Sequence, residues 1–328
     1  MYKVLIVGCG KIAGYFSDFG ESKKDDNHVA AFRSNGKFEL SGCVDLDQER
    51  AAEFSHRAGI PYSSDDLSKA IAKVRPDVIS VATPDETHFD VTLKILEDSR
   101  PLPRIIFLEK PACRDENELT TLLQRSAEAN IPIIINQSRR FSPLYQNLRA
   151  SFRKEHFGRL LRIDTTYYDG WCHSGVHLVD IIRYVSGLEF GNLEVVERIR
   201  DGRERDFTYT VRGELGAEKI STWFHGWNGN YYQIFDLDFR FSMGRLRISN
   251  FEEQVTWEEI YQNRSGERIL RAQPIDLLGA NESPLKNGVT AIREYLDSNQ
   301  SEVLEQCLLQ EIGPTMRALW QLAHEKCK

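Results

Sequence analysis

The sequence lacks the features that would place it outside ordinary globular proteins. No apolar run approaches the ~20 residues needed to span a bilayer. The N-terminus does not show a basic, then apolar, then small-residue order, so it does not read as a signal peptide. No basic block stands out, and net charge is −7, from 42 basic and 49 acidic residues, which argues against nucleic acid or an anionic membrane as the main partner. No C-x-x-C pair occurs among Cys9, Cys43, Cys113, Cys172, Cys307 and Cys327. They read as reduced thiols, and a cytoplasmic protein is expected. There are no internal repeats and no low-complexity linker. At 328 residues the chain suits two domains.

What is present begins at the first residues. Tyr2–Val7 is an apolar, β-branched run that stops at Gly8-Cys9-Gly10-Lys11-Ile12-Ala13-Gly14. This predicts a buried strand, a glycine turn and a helix start. Gly8 permits the sharp turn. Gly10, without a Cβ, lets a pyrophosphate approach the backbone, and Ala13 fills the third small position. The N–H groups of Lys11 and Ile12, at the positive end of a helix dipole, favour anionic phosphates. The same pattern also occurs in tight turns that bind nothing, so its place after a strand carries the reading.

Strands and helices then alternate. Strands are expected at Phe38–Val44, Asp77–Ala82, Arg104–Leu108 and Pro132–Asn136. Helices are expected from His28 (with Asn27 as cap), at Asp47–Arg57, Asp65–Val74, Thr87–Leu96 and Asn117–Ala129. Alternation of this kind implies a doubly wound parallel sheet. A polar stretch between Gly14 and Asn27 reads as an insertion or flap within the first crossover. After a helix near Pro143–Phe152 the rhythm changes. Leu160–Tyr168, Leu193–Ile199, Phe207–Glu214, Lys219–Phe224, Tyr231–Phe241, Leu246–Ser249 and Gln254–Ile260 read as strands joined by short connections. Two helices follow, near Val289–Ser298 and Gly313–Glu325. The expectation is an α/β chain: a dinucleotide-binding domain over 1–137, then an α+β domain with a large, mostly antiparallel open sheet over 138–328.

Ligands in open α/β sheets bind beyond the carboxyl ends of the strands. Four polar groups fall there: Asp45, Thr83-Pro84, Glu109-Lys110-Pro111 and Asn136-Gln137. Asp45 lies 35 positions past Gly10, further than the usual ~20, and the insertion accounts for most of the excess. Its carboxylate suits the two ribose hydroxyls of an adenosine and repels a 2′-phosphate. NAD is therefore expected over NADP, with a helix cap as the alternative role for Asp45. Pro111 biases Lys110 to an extended backbone. That points its ammonium toward the crevice, where it can stabilise an alkoxide as hydride leaves, unless it is a surface lysine paired with Glu109. His173 and His177, four apart, could ligate a metal. There is no H-E-x-x-H pattern and no third ligand, so no metal is expected. General acid–base work fits them better, with structural histidines at a helix start as the alternative.

Taken together, Gly8-x-Gly10-x-x-Ala13, Asp45, Ala82-Thr83-Pro84 with His88, Glu109-Lys110-Pro111, Arg140-Phe141-x-Pro143 and Gly175-x-His177-x-x-Asp180 with Gly187 resemble the glucose–fructose oxidoreductase / inositol dehydrogenase (Gfo/Idh/MocA) family over about residues 1–190. The resemblance implies a Rossmann domain holding NAD(P) through Gly8, Gly10, Lys11, Ile12, Asp45, Thr83, Pro84, His88, Glu109 and Lys110. It implies oxidation or reduction of a sugar, nucleotide sugar or cyclitol, and homo-oligomers built through the C-terminal sheet. Lys110 and His177 map onto the catalytic lysine and histidine of the family, with the active site in a cleft between the domains. His177, relayed by His173, then takes the hydroxyl proton while hydride leaves for the nicotinamide. Arg140, Tyr168 and Trp171 are candidate substrate contacts, the two aromatics with domain packing as the alternative. One departure stands out: the family usually has Asp where this chain has His173. That variant is similar to members of surface-polysaccharide and nucleotide-sugar pathways. It also leaves open a non-catalytic dinucleotide-binding sensor or regulator.

Overall fold

The computed structural model describes residues 1–14, 27–98, 100–204, 206–275 and 283–323. The stretch between Gly14 and Asn27, apart from those two residues, lies outside the described residues, and so does Cys327.

The first compact unit comprises Met1–Phe141 and Glu282–Gly313. Its strands are β1 Tyr2–Val7, β2 Phe38–Val44, β3 Ser63–Ser64, β4 Val78–Val81, β5 Ile105–Leu108 and β6 Ile133–Ile135. They pair in parallel in the order β3-β2-β1-β4-β5-β6, the doubly wound order whose switch point falls between β1 and β4. All residues of β4, β5 and β6 are buried. Strands covered on both faces read as unbroken apolar runs, which made these visible in the sequence. β3 is two serines and carries no such run.

Between them run helices α1 His28–Ser34, α2 Gln48–Arg57, α3 Leu67–Val74, α4 His88–Asp98 and α5 Glu116–Ala129. The starts of α1, α2, α3 and α5 are set by side chains that accept otherwise unpaired first-turn N–H groups. Asn27 accepts from Ala30 N, Asp47 from Glu49 N and Arg50 N, Asp66 from Lys69 N, and Asp115 from Asn117 N and Glu118 N. The hydrogen bonds at the front of α1 span the insertion: His28 N donates to Ile12 O (3.1 Å) and Val29 N to Ala13 O (3.2 Å).

The second unit comprises Ser142–Asn281 and Pro314–Lys328. It contains α6 Pro143–Arg153, β7 Leu160–Tyr168, α7 Val176–Ser186, β8 Phe190–Arg198, β9 Tyr209–Leu215, β10 Ile220–Trp227, β11 Asp236–Phe241, β12 Gly244–Ser249, β13 Gln254–Gln262 and β14 Arg268–Gln273. The sheet order is β14-β13-β12-β11-β7-β10-β9-β8, antiparallel throughout except for the parallel pair β7–β10. One face is apolar: Ile163 and Tyr167, Phe224, Leu237 and Phe239, Leu246 and Ile248 join Leu178, Ile182 and Val185 of α7 in one core. The opposite face carries charges in register. Asp164 meets Arg162 and Arg240, and Asp238 meets Arg240 and Arg245.

The late helices divide differently from the expectation of one boundary at 137/138. α8 Pro284–Ser298 and α9 Glu302–Glu305 return to the first unit, and α10 Leu309–Ala323 contains the later boundary at Gly313/Pro314. Leu285, Val289, Ile292, Leu296 and Leu304 join the core around β1. Ile135 N donates to Cys307 O (2.8 Å), so the backbone of β6 is satisfied by residues far along the chain. Among the described residues no helix is long and apolar enough to cross a membrane.

Candidate active site

In the first unit, the expected nucleotide-binding residues lie at the carboxyl ends of adjacent strands. Gly8 ends β1 at φ +91°, and a Cβ there would sit 2.6 Å from Ala82 O and 2.7 Å from Thr83 N. Glycine is required here because β4 passes so close, as well as for the turn itself. A Cβ at Gly10 would meet nothing within 4 Å, leaving the backbone approachable, and Thr83 Oγ1 is buried with no partner among the described residues. An approachable backbone and an orphaned hydroxyl on neighbouring strand ends fit a dinucleotide phosphate group.

Asp45, at the end of β2, is tied to that turn. Its Oδ2 accepts Cys9 N (2.9 Å) and its Oδ1 accepts Asp47 N (3.0 Å). The cap of α2 is Asp47, so the alternative of Asp45 as helix cap is not what the structure shows. Arg50, one turn into α2, brings a guanidinium nitrogen within 3.8 Å of Asp45 Oδ1.

Beneath Lys110 lies a buried polar chain. His28 Nε2 donates to Glu109 Oε1 (2.8 Å), Asn136 Nδ2 donates to the same oxygen (2.6 Å), and Ser80 Oγ sits 2.7 Å from His28 Nδ1. Burial pushes the Glu109 carboxyl up. The hydrogen bond and charge of His28, with the Asn136 amide and the charge of Lys110, outweigh it and hold the group below the usual carboxylate range. Glu109 thus props the strand end on which the half-buried Lys110 stands. His88 is fully buried, with Nδ1 2.7 Å from Pro111 O and Nε2 2.8 Å from Thr83 O. It joins the Thr83-Pro84 and Lys110-Pro111 turns and positions both. Arg140 is 4% exposed and donates to Gln306 O. The expectation of Arg140 as a substrate contact is corrected: burial and this bond make it a brace inside the first unit.

In the second unit, β7 ends at Tyr168 and leads into a π-helical turn, Trp171–Gly175, in which Gly175 N bonds Gly170 O (3.1 Å). Such widened turns are rare and frequent at functional sites. The turn carries His173, and α7 carries His177, so the pair does not share a regular α-helical face. Asp206 secures the turn by accepting Cys172 N (2.9 Å) and His173 N (2.8 Å). A Cβ at Gly170 would lie 2.2 Å from that carboxylate. The imidazole of His173 is more than half exposed, with Nε2 3.6 Å from Asp169 Oδ2, and Asp169 is ion-paired with Arg203. These three partners, Asp169, Arg203 and Asp206, escaped the sequence reading. The Asp169-Gly170 step just before the motif is a local signal for Asp169 alone; Arg203 and Asp206 come from a distant loop and leave none.

Asp180 of the motif is 1% exposed and accepts from Thr315 Oγ1 (2.8 Å), whose oxygen accepts from Arg183 (2.6 Å); it anchors α7. Trp171 is 1% exposed and packs edge-on against Tyr167 and Phe224. The expectation of Trp171 as a substrate contact is corrected, because its ring belongs to the core of the second unit. Tyr168 is half-buried, with its ring edge-on to Phe251 at 6.0 Å.

Residues 2–137 match the model of the oxidoreductase family with the NAD-binding Rossmann fold, GFO_IDH_MocA. Inositol 2-dehydrogenase 2 of Mycolicibacterium vanbaalenii is 29% identical over 53% of this chain and 53% of its own length. The chain is matched over about half the length of such curated relatives. Among solved structures, UDP-N-acetylglucosamine 3-dehydrogenase of Acidithiobacillus ferrooxidans superposes with a TM-score of 0.74 at 15% identity, covering 98% of this chain and 96% of that one. A super-repressor mutant of Gal80p from Saccharomyces cerevisiae does so at 0.75 and 14%, covering 99% and 95%. At these identities the structural likeness establishes a shared fold.

Proposed function

We propose that this chain, whose residues 2–137 match the model of the Gfo/Idh/MocA oxidoreductases with the NAD-binding Rossmann fold, moves a hydride between a nicotinamide cofactor and a CH–OH or ketone carbon of a sugar, nucleotide sugar or cyclitol. The observation that carries the proposal is the convergence of Gly8, Gly10, Asp45, Thr83 and Lys110 on the carboxyl ends of β1, β2, β4 and β5. The inositol dehydrogenase relatives support the polyol class.

The Gly8–Ile12 turn, open to approach at Gly10, holds the diphosphate, and Asp45 accepts the adenosine ribose hydroxyls, favouring NAD over NADP. When bound, the nicotinamide supplies the hydride acceptor or donor. Lys110, its charge facing the substrate oxygen, stabilises the alkoxide. His177 takes the hydroxyl proton in oxidation and returns it in reduction. His173, at the position where the family carries a carboxylate, relays that proton with Asp169 beside it. Tyr168 meets the substrate. A homo-oligomer through the eight-stranded sheet and a cytoplasmic location complete the reading.

The test is to mix the purified chain with NAD or NADP and a panel of inositols, hexoses and nucleotide sugars and to follow reduced nicotinamide by its absorbance. Turnover of one panel member supports the proposal. Tight cofactor binding with no turnover of any would favour the second reading, a dinucleotide-binding sensor, to which the His173 departure points.

A further inference from the structure

Where β7 and β10 end side by side, with Tyr168 opposite Trp227, the second unit holds a polar cavity of about 160 Å³. That is room for about five waters at ~30 Å³ each. Its lining includes Tyr168, Asp169, Asp201, Arg203, Asn230 and Gln233. The loops around it are tied together: Asn228 Nδ2 donates to Arg200 O (2.9 Å), Asn230 Nδ2 to Asp201 O (3.1 Å), and Asn230 N to Asn228 Oδ1 (3.0 Å). Asp201 also accepts from Thr208 Oγ1 (2.5 Å) and Arg203 N (3.2 Å). Such a frame is set before a ligand arrives.

The cavity offers hydrogen-bonding groups of both kinds. The exposed Gln233 amide, Asn230 Oδ1 and Arg203 Nη2 are not drawn into the ties above and can turn to a ligand. Two carboxylates against one guanidinium leave the lining at −1, which repels a phosphate or carboxylate ligand. Beside it stand two strongly exposed aromatic rings, Tyr231 (77%) and Tyr232 (56%), packed around Trp227 at centroid distances of 6.2 and 4.9 Å. Amides and carboxylates for hydroxyl groups, together with flat rings for C–H faces, suit a polyhydroxylated ring without charge.

We propose that this cavity, flanked by Tyr231 and Tyr232, is a subsite for a second, uncharged sugar ring, so that the substrate is a glycoside rather than a free monosaccharide or cyclitol. The inference rests on the function proposed above and narrows its substrate class. Asp169 links the two places, since it lines the cavity and lies 3.6 Å from His173.

The test titrates the full chain, saturated with its preferred cofactor, with glucose, methyl β-glucoside, cellobiose, maltose and UDP-glucose by calorimetry. We expect one disaccharide to bind about tenfold or more tighter than glucose, about 1.4 kcal/mol. In Gln233→Ala and Tyr231→Ala that ratio should fall near one, and Tyr231→Phe should keep it, because the ring face and not the hydroxyl does the stacking. Equal affinity for glucose and the disaccharides, tightest binding of UDP-glucose, or a ratio unmoved by both alanine variants would overturn the subsite alone. Binding of no panel member would overturn it together with the functional reading.

Discussion

One carboxylate oxygen of Glu109 receives two donors, His28 Nε2 at 2.8 Å and Asn136 Nδ2 at 2.6 Å. Because these hold its pKa below the ordinary value, near 4.3 in model peptides, the stability they contribute is present above that value. It is lost as pH falls through the depressed one. Glu109→Gln should therefore melt below wild type at neutral pH, and the difference should shrink as pH falls from about 5 toward 3. Melting curves in that window check it; a difference that does not change with pH would refute the assignment.

Gly8 and Gly10 should separate under the same substitution. Gly8→Ala places a Cβ against the β4 backbone at positive φ and should cost about 2 kcal/mol of stability or more. Gly10→Ala meets nothing within 4 Å, so it should melt within a degree or two of wild type while losing affinity for dinucleotide. Denaturant unfolding and a cofactor titration on both variants decide the matter.

Asp45→Ala should weaken NAD binding and relax the preference over NADP. It should also lower stability by about 1 kcal/mol through the lost Cys9 N–H bond. Arg50→Ala removes the cation 3.8 Å away and should weaken whatever NADP binding exists. A wild type that binds NADP tenfold tighter than NAD would show the ribose argument to be wrong.

Lys110→Ala should lower kcat by about 10²–10³-fold, and His177→Ala by about 10²–10⁴-fold, with little change in cofactor affinity. If both act on one substrate oxygen, the double variant should lose less than the product of the single losses. Steady-state kinetics of the four proteins on one substrate provide the measurement.

His173→Ala should reduce kcat and alter its pH profile, and Asp169→Asn should move the same profile in the same direction if the pair relays a proton. His173→Asp, which restores the usual family residue, should retain part of the rate. A lowered melting temperature with unchanged kcat would make His173 structural. Loss of activity on chelation, with about one ion per chain, would make it a metal ligand.

Much of the fold was legible because local signals agreed with the global answer. The runs Tyr2–Val7 and Phe38–Val44 match β1 and β2 residue for residue, and Asn27 caps α1 as its side chain suggests. What stayed hidden depends on distant partners. Ser63–Ser64 becomes β3 only because β2 offers a free edge, where Cys43 N bonds Tyr62 O (2.9 Å). Arg268–Gln273 is exposed at every position and becomes β14 through backbone pairing with β13 alone. Trp171 and Arg140 have chemistry that suits a ligand, and only packing shows that they are enclosed. His28 looked like a helix start, while its ring reaches across to Ser80 and Glu109, 52 and 81 positions away.

The hydrogen bonds from His28 N to Ile12 O and from Val29 N to Ala13 O carry a helical ladder past the inserted stretch. The two ends of that stretch are therefore held within one turn of each other whatever lies between them. Since closing a loop costs only about 0.6 kcal/mol more for each doubling of its length, this is a natural splice port. Replacing the sequence between Gly14 and Asn27 with an epitope, a fluorophore attachment sequence or a small reporter domain should leave those two flanking hydrogen bonds in place. The port opens two residues past Ile12, so if the proposed phosphate site is right, a reporter placed there should respond to added dinucleotide.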